Sequence, residues 1–171
     1  DMEKVRFHIE VAQLSDFASD GIDKVAFLVS ANPGEPLLPL SKVASGGELS
    51  RMMLALRCAF ADQERTEPLI FDEIDTGISG RTSHRIGVKL REVASTGTQV
   101  ICVTHSPQIA AVAETHLFVR KHEVDGRTES SVRELLRHER EEEIARIIGG
   151  AEITEQTLAT AKELLDANIE T

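Results

Sequence analysis

The sequence predicts an α/β fold in which helices flank a mostly parallel sheet, with a C-terminal β-hairpin and two terminal helices after it. Two short apolar runs, LIF and VICV, each end abruptly in polar residues, and helical patterns stand before, between and after them. Such an alternation of buried strands and helices is typical of βαβ units. An Asp-Gly pair between two later strand-like runs predicts the hairpin.

The N-terminal segment predicts two strands and a loop. The string VRFHIEV (residues 5–11) alternates apolar and polar side chains, which is the period of a half-buried strand. The string DKVAFLVSA (residues 23–31) is a second strand candidate. Three prolines and a glycine interrupt NPGEPLLPL (residues 32–40), so this segment is expected to be a loop.

The central segment predicts the alternating part of the fold. A helix that begins near Gly47 carries apolar residues at helical spacing. Its predicted stripe consists of Leu49, Met53, Leu56 and Phe60, widened by Met52 and Ala59. The next elements are a strand within residues 67–75, a helix over 79–96 with Ile86, Leu90 and Val93 on one face, a strand within 98–105 and a short helix after Ser106 and Pro107. Strands this apolar are expected to lie buried in a parallel sheet.

The C-terminal segment predicts a hairpin and two helices. The string VDGR (residues 124–127) separates two strand-like runs. The string REEEIARIIGG (residues 140–150) begins with acids, which complement the positive end of a helix, and ends in glycines, which terminate it. Thr154 can cap a last helix. The apolar residues of that helix are Leu158, Ala161, Leu164 and Leu165.

Composition limits the classes of function. The 19 Lys and Arg residues and 29 Asp and Glu residues give a net charge of −10, which argues against a generally basic, nucleic-acid-coating surface. No apolar run reaches the roughly 20 residues that span a bilayer, and no secretory signal is visible. Cys58 and Cys102 lack metal-ligand spacing and are expected to be buried thiols of a reducing compartment. The chain begins with Asp1 rather than Met, so we expect it to be a fragment cut from a longer chain.

Both central strands end in residues that could carry chemistry at the ligand-binding edge of a parallel sheet. Asp72 could hold Mg²⁺ when phosphates supply other ligands, and Glu73 could orient a water for attack on phosphorus. Thr104 and His105 end the second strand and would converge on these acids if the strands are neighbours. The alternatives are that the two acids merely start a solvated loop and that His105 is structural.

The start of the first central helix could bind an anion. A helix N-terminus presents free N–H groups and a partial positive charge. Gly46 and Gly47 have no side chains to keep a phosphate away, and Ser45 adds a hydroxyl in the same segment as Glu48. The alternative is an ordinary serine cap followed by two flexible residues. A G-x-x-x-x-G-K-[ST] loop is absent, so this segment has nothing to hold a nucleotide's β-phosphate.

These motifs, in this order, resemble the C-terminal half of the head of ABC-type ATPases, and the SMC-like branch of DNA-repair and chromosome proteins fits best. Four longer strings resemble the RecN family of bacterial double-strand-break repair proteins: PLSKVASGGELSRMMLALRCAF, LIFDEIDTGISGRTS, QVICVTHSPQIAAVAE and ARIIGGAEITEQTLATAKELL. The resemblance covers nearly the whole chain. It implies the C-terminal lobe of a P-loop (ABC/SMC-type) ATPase head, which uses ATP and Mg²⁺ in double-strand-break repair and recombination.

The resemblance implies a role for each motif residue. Asp72 matches the Walker B aspartate that supports Mg²⁺, Glu73 matches the glutamate that polarises the attacking water, and His105 matches the switch histidine near the γ-phosphate. The signature motif touches the γ-phosphate of ATP held by the opposite head of a dimer. The residues that match it are Ser45, Gly46, Gly47 and Glu48. Residues 74–80 occupy the position of the D-loop, without the usual Leu-Asp ending.

The resemblance also implies organisation, partners and location. Residues 1–40 would be strands and a loop after the returning arm of a coiled coil, residues 41–116 the motif-bearing core, and residues 117–171 the hairpin and terminal helices. The partners would be the Walker A lobe of the same protein, which should lie before Asp1, a second head in a homodimer, and DNA, mainly through other parts of the protein. No membrane is implied, and the location would be the bacterial cytoplasm at the nucleoid. Alone, this half should not hydrolyse ATP.

Other functions stay open. A transporter nucleotide-binding domain shares the three motifs, but it usually has Gln in place of Glu48 and Pro in place of Ile74. A non-catalytic lobe that only grips a partner would not need Glu73. A further option is DNA binding by one basic helix face, although such a face is usually only solvated. The residues of that face are Arg81, Arg85, Lys89 and Arg91.

Overall fold

The computed structural model describes residues 4–30, 33–42, 45–59, 68–124, 126–150 and 152–168. Its elements are β1 (Arg6–Ala18), β2 (Gly21–Ser30), β3 (Leu38–Pro39), a 3-10 helix (Leu40–Lys42), α1 (Gly46–Ala59), β4 (Leu69–Phe71), α2 (Gly80–Ser95), β5 (Val100–Cys102), α3 (Pro107–Val112), β6 (Leu117–Val124), β7 (Arg127–Glu134), α4 (Arg137–Gly149) and α5 (Glu155–Asp166). The strands form three sheets, with the orders β1-β2-β3, β4-β5 and β6-β7.

The parallel part of the fold is the pair β4 and β5, which are joined through α2. Their residues pair from Leu69↔Val100 to Phe71↔Cys102. This arrangement confirms the predicted βαβ unit, whereas the pairings of the other described strands are antiparallel. Helices α1, α2 and α3 contribute to the core around this pair, and each large side chain buried there stabilises the fold by about 1.5–3 kcal/mol. The buried cluster consists of Leu54, Phe71, Ile74, Ile86, Leu90, Val93 and Ile109.

Helix α1 buries only part of its predicted apolar stripe. Met52, which widens the stripe, is buried as predicted, but Leu49 and Met53 are 38% and 40% exposed, and Leu54, outside the stripe, is buried instead. Gly47 is also buried and lies two helical turns before Leu54 on the same side. The buried side of α1 therefore begins at Gly47, and a pattern based on apolar side chains does not detect a glycine. The last residue of the predicted stripe lies outside the described residues.

The hairpin of β1 and β2 confirms both predicted N-terminal strands. Their antiparallel pairing begins at Arg6↔Ser30. The short strand β3 lies within the segment predicted to be a loop and pairs Leu38 with Val29, which corrects that prediction for two residues. Pro39 is compatible with this position because an edge strand does not need every N–H for pairing.

The side chains of β1 are exposed along its whole length, although the alternating pattern predicts a half-buried strand. Phe7, Ile9, Val11 and Phe17 are all exposed. Phe7 stacks on Phe27 of β2, with ring centroids 5.8 Å apart. The period of the sequence therefore predicts the strand correctly, while its burial requires a covering layer that the described residues do not supply.

The C-terminal helices pack on α3. Thr154 caps α5 as predicted, because its side-chain oxygen accepts a hydrogen bond from the Thr157 N–H. The buried cluster between these helices consists of Ala110, Ala111, Ile144, Ala145, Ala161 and Leu165.

The predicted hairpin is formed by β6 and β7. Their pairing runs from Leu117↔Glu134 to Val124↔Arg127, and one residue of the predicted turn, Asp125, lies outside the described residues. Within the described ranges, no helix has the length and apolar character needed to cross a membrane.

Candidate functional site

The parallel register brings the carboxyl ends of β4 and β5 side by side. Phe71 pairs with Cys102 at the end of both strands, and the Val103 N–H donates to the Phe71 carbonyl oxygen at 2.9 Å. The segments that follow, residues 72–76 and 104–105, therefore meet at one edge of the sheet. In parallel sheets this is the edge where ligands bind.

A buried carboxylate, that of Asp75, joins the two strand ends. The Thr104 hydroxyl donates to Asp75 Oδ2 at 2.5 Å, and the His105 main-chain N–H donates to the same oxygen at 3.0 Å. The Asp75 side chain is only 2% exposed, and its Oδ1 has no hydrogen-bond partner among the described residues. Asp75 was not singled out from the sequence, in which an acid that follows one apolar residue, Ile74, is too common a pattern to indicate burial.

The imidazole of His105 lies beside this junction. Its Nδ1 is 3.4 Å from Asp75 Oδ2, and 81% of the side chain is exposed. In the part of the chain that the structure describes, no hydrogen bond or ion pair joins the His105 side chain to Asp72 or Glu73. The structure therefore places His105 at the predicted edge, next to Asp75 and open to a ligand.

The start of α1 docks on the loop that follows β4. The Ser50 hydroxyl donates to the carbonyl oxygen of Asp72 at 2.8 Å. One nitrogen of the Arg51 guanidinium donates to the carbonyl oxygens of Ile74, at 3.1 Å, and Thr76, at 3.0 Å. The SGGE segment and the two acids, which are far apart in sequence, are therefore neighbours in space. Neither Ser50 nor Arg51 was singled out from the sequence.

The two glycines of this segment have different surroundings. A Cβ on the buried Gly47 would lie 2.8 Å from the Glu73 carbonyl oxygen and 3.2 Å from Thr76 Cβ. Gly46 is exposed, and a Cβ there would meet only the end of the Glu73 side chain, with Oε2 at 3.0 Å. Close packing within the chain therefore explains Gly47, whereas only the end of the Glu73 side chain lies beside the exposed Gly46.

Glu73 has an unusual backbone conformation. Its φ is 55°, and it is the single non-glycine residue with positive φ in the described ranges. Such left-handed residues cost of order 1–3 kcal/mol and persist when their surroundings hold them. The carbonyl oxygen of Glu73 accepts the Thr76 N–H at 3.0 Å, which closes a tight turn beneath the start of α1.

Ser45 caps the first turn of α1. Its Oγ accepts the Glu48 N–H at 3.3 Å, and its carbonyl oxygen accepts the Leu49 N–H at 3.1 Å. The ordinary-cap interpretation therefore has a direct contact in the structure. The cap leaves Gly46 uncovered, so an anion could approach the helix start there once the Glu73 carboxylate had turned away.

Comparison with known proteins identifies the family. No family model matches the chain. The chain is 54% identical to the DNA repair protein RecN of Bacillus subtilis, 53% identical to that of Vibrio cholerae and 51% identical to that of Halalkalibacterium halodurans, over 145, 167 and 163 residues. The chain belongs to the RecN family. The matches cover 85%, 97% and 95% of this chain but only 25%, 30% and 29% of those RecN proteins.

Among solved structures, one from work on the structural biochemistry of ATP-driven dimerization and DNA-stimulated activation of SMC ATPases is similar to this chain. Its TM-score is 0.46 at 19% identity, over 84% of each chain.

Two exposed carboxylates of this chain have the chemistry of ligands that could share a Mg²⁺ ion with phosphate oxygens. Asp72 and Glu73 are both exposed directly after β4. The described residues contain no group of three or more His, Cys, Asp or Glu side chains that could hold a metal. Mg²⁺ is commonly bound by one or two carboxylates together with phosphate oxygens and waters, which is the set this edge could complete.

Two pKa shifts constrain the chemistry at this edge. Burial, with Asp75 and Asp72 adding to it, raises the pKa of the Cys102 thiol to about 12, so it stays protonated at neutral pH and is not a nucleophile. Burial lowers the pKa of Arg51, and nearby Glu48 opposes that effect. A guanidinium nonetheless remains charged in proteins, so Arg51 contacts the loop as a cation.

Proposed function

We propose that this chain is the C-terminal lobe of an ABC/SMC-type ATPase head in a RecN protein, and that the complete head hydrolyses ATP with Mg²⁺ in double-strand-break repair and recombination. The name of the relatives, DNA repair protein RecN, supports the repair context. The observation that carries the ATPase proposal is the docking of the SGGE helix start on the loop that holds Asp72 and Glu73. This contact brings a helix start that would bind an anion next to two carboxylates at a strand end.

The acids and the histidine would act on the nucleotide bound by the same head. Asp72 would support Mg²⁺, and Glu73 would orient the attacking water. His105 would contact the γ-phosphate, and its exposure together with its neighbour Asp75 supports that role. Magnesium would neutralise charge that develops on the phosphates.

The signature residues would act on the nucleotide of a second head. Ser45, Gly46, Gly47 and Glu48 form the helix start whose N–H groups would contact the γ-phosphate in trans. Gly47 packs against the Glu73 carbonyl group, so the residues of this motif would have two different roles. Ser45 and Gly46 would approach the phosphate, whereas Gly47 would keep the helix start close to Glu73.

These residues include nothing to hold the β-phosphate of ATP and would form only part of each site, so the proposed sites need two partners. The Walker A lobe of the same protein would hold the β-phosphate, and a second head in a homodimer would complete each site. Residues 41–116 would be the motif-bearing core, 1–40 the strands and loop after a coiled-coil arm, and 117–171 the hairpin and terminal helices. We place the protein in the bacterial cytoplasm, at the nucleoid, with no membrane partner.

DNA would be contacted mainly outside this lobe. Two members of the basic face on α2 already have partners, since Lys89 pairs with Glu92 at 2.6 Å and Arg91 donates to the Asn168 carbonyl oxygen at 2.5 Å. The net charge of −10 also opposes a broad contact with DNA.

The test uses the full-length protein, in which this lobe is joined to the Walker A lobe. Glu73→Gln removes the charge that would polarise water while keeping the shape of the side chain. We expect it to bind ATP, to lose at least about 100-fold in turnover and to accumulate as an ATP-bound dimer, measured by steady-state hydrolysis and molecular mass. Glu123→Gln, the same change on the exposed hairpin, is the control.

Two results would reject parts of this proposal. Unchanged turnover in Glu73→Gln would remove Glu73 as the water-orienting group. An absence of turnover in the wild type as well would favour the alternative of a non-catalytic, partner-binding lobe. The other alternative, a transporter nucleotide-binding domain, is disfavoured by the identity of 51–54% with DNA repair proteins.

A further inference from the structure

The first turns of α1 hold the Glu73 loop through its main-chain carbonyl groups. The Ser50 hydroxyl binds the carbonyl oxygen of the residue before Glu73, at 2.8 Å. Arg51 binds the carbonyl oxygens of Ile74 and Thr76, at 3.1 Å and 3.0 Å. These contacts therefore lie on both sides of Glu73 and do not depend on the side chains of the loop.

Arg51 makes the most specific of these contacts. A single nitrogen, Nη1, donates to both carbonyl oxygens. Two carbonyl groups that are two residues apart can accept from one donor only where the chain forms a turn. That turn is closed by the Thr76 N–H, which donates to the Glu73 carbonyl oxygen at 3.0 Å. The same Nη1 would lie 3.0 Å from a Cβ on Gly47. Arg51 thus fills the space between Gly47 at the helix start and the turn that follows Glu73.

The backbone of Glu73 needs such support. A glutamate at φ 55° is held in a conformation that L-residues avoid. If the loop relaxed toward ordinary dihedral angles, the Glu73 carboxylate would move relative to the strand end. Misplacement of a catalytic group by about 1 Å can cost about 100-fold in rate.

We propose that Arg51 is a positioning residue, which fixes the Glu73 loop to the start of α1 and so links the helix start that meets one nucleotide to the glutamate that acts on another. This inference rests on the proposed ATPase function. It assigns no contact with ATP to Arg51 itself. A shift of the helix start on arrival of a phosphate would be transmitted to Glu73 through the guanidinium.

The test compares three substitutions in the full-length protein. Arg51→Met keeps an unbranched apolar chain and removes all donors. Arg51→Lys keeps a cation with N–H donors, but on a side chain of different length and shape. Arg120→Met makes the same chemical change on the exposed strand β6 and is the matched control.

We expect Arg51→Met to lower kcat by about 100-fold, while KM for ATP stays within about threefold of the wild-type value and ATP-dependent dimers still form. Arg51→Lys should recover part of the lost kcat, and Arg120→Met should match the wild type. A positioning role predicts this split between kcat and KM, whereas general damage to the fold would change both and would also lower the melting temperature and dimer yield.

The outcomes separate this inference from the proposed function. If Glu73→Gln stops turnover while Arg51→Met behaves like Arg120→Met, the positioning role is wrong and the ATPase proposal stands. If Arg51→Met loses dimer formation and ATP affinity together with kcat, the arginine is merely structural and the inference is overturned. If Glu73→Gln turns over like the wild type, the proposed function fails and the inference fails with it.

Discussion

At the scale of single residues, the two adjacent glycines at the start of α1 lie in different environments, which leave different amounts of room for a side chain. Gly47 is buried under the Glu73 carbonyl group, where a side chain has no room, while Gly46 lies beside the carboxylate end of the Glu73 side chain. The sequence alone presents the pair as one flexible or anion-binding unit. The difference becomes visible only when the loop after β4 is placed against the helix.

This difference predicts unequal costs for two similar substitutions. Gly47→Ala would force a Cβ to within 2.8 Å of a main-chain oxygen, and we expect a loss of about 1–3 kcal/mol in the free energy of unfolding. Gly46→Ala can be accommodated by a rotation of the Glu73 side chain and should be nearly neutral in stability. Chemical denaturation of both variants and the wild type measures this. Equal losses in the two variants would contradict the packing assigned to Gly47.

Asp75 is a second residue whose role depends on spatial arrangement. It binds Thr104 and His105 from the neighbouring strand, and that contact requires the parallel register of β4 and β5. The sequence places Asp72, Glu73 and His105 correctly at the strand ends, because an apolar run that stops abruptly marks where a buried strand ends. It gives no comparable sign for an acid that is buried and hydrogen-bonded across strands.

At the scale of elements, the predictions succeed where a cap or a strong period defines the helix. The bounds of α2 fall within one residue of those predicted, and α5 begins at its Thr154 cap. The face of α1 was predicted only in part, since Met52 is buried but Leu49 and Met53 are exposed. Apolar side chains lie on more than one side of this helix, and the docking of Gly47 decides which side is buried. The two residues of β3 were missed because a pairing with an edge depends on the neighbouring strand rather than on local sequence.

The start of α4 provides a prediction about pH. The Glu139 carboxylate accepts the Leu136 N–H at 2.8 Å and an Arg133 N–H at 2.7 Å, and these bonds lower the pKa of Glu139. A lowered folded-state pKa contributes stability that is present above the unfolded value of about 4.3 and is lost as the pH falls through the folded value. We therefore expect the wild type to lose more stability than Glu139→Gln between about pH 6 and about pH 3.

Thermal or urea unfolding across that pH range measures the difference between the two proteins. Glu123→Gln, on the exposed strand β6, is a control for the general loss of a carboxylate. Parallel pH profiles for the wild type and Glu139→Gln would show that the cap makes no pH-dependent contribution.

At the scale of the whole molecule, several apolar side chains lie uncovered in the part of the chain that the structure describes. Phe17, Ile70 and Val103 are 83%, 70% and 58% exposed. A Walker A lobe of the same protein would supply both the missing phosphate-binding loop and a cover for such residues. Periodicity predicts which residues form strands, but it cannot say whether the layer that buries them belongs to the same segment. The expected burial of β1 was wrong for that reason.

The central claim is that each ATP site combines Glu73 of one head with the signature residues of another. Ser45→Arg places a large cation where the phosphate would approach, and Glu73→Gln removes the water-orienting group. A homodimer of either variant then has two defective sites. In a mixed dimer, one site receives both changes, and the other keeps a normal Glu73 and a normal signature motif.

The most direct measurement is therefore ATP turnover of full-length Ser45→Arg and Glu73→Gln proteins, each alone and mixed, at a concentration where dimers form. Our account predicts that each protein alone is nearly inactive and that the mixture recovers turnover well above the sum of the two. A mixture no more active than its separate components, with mixed dimers present by mass, would contradict a site shared between heads.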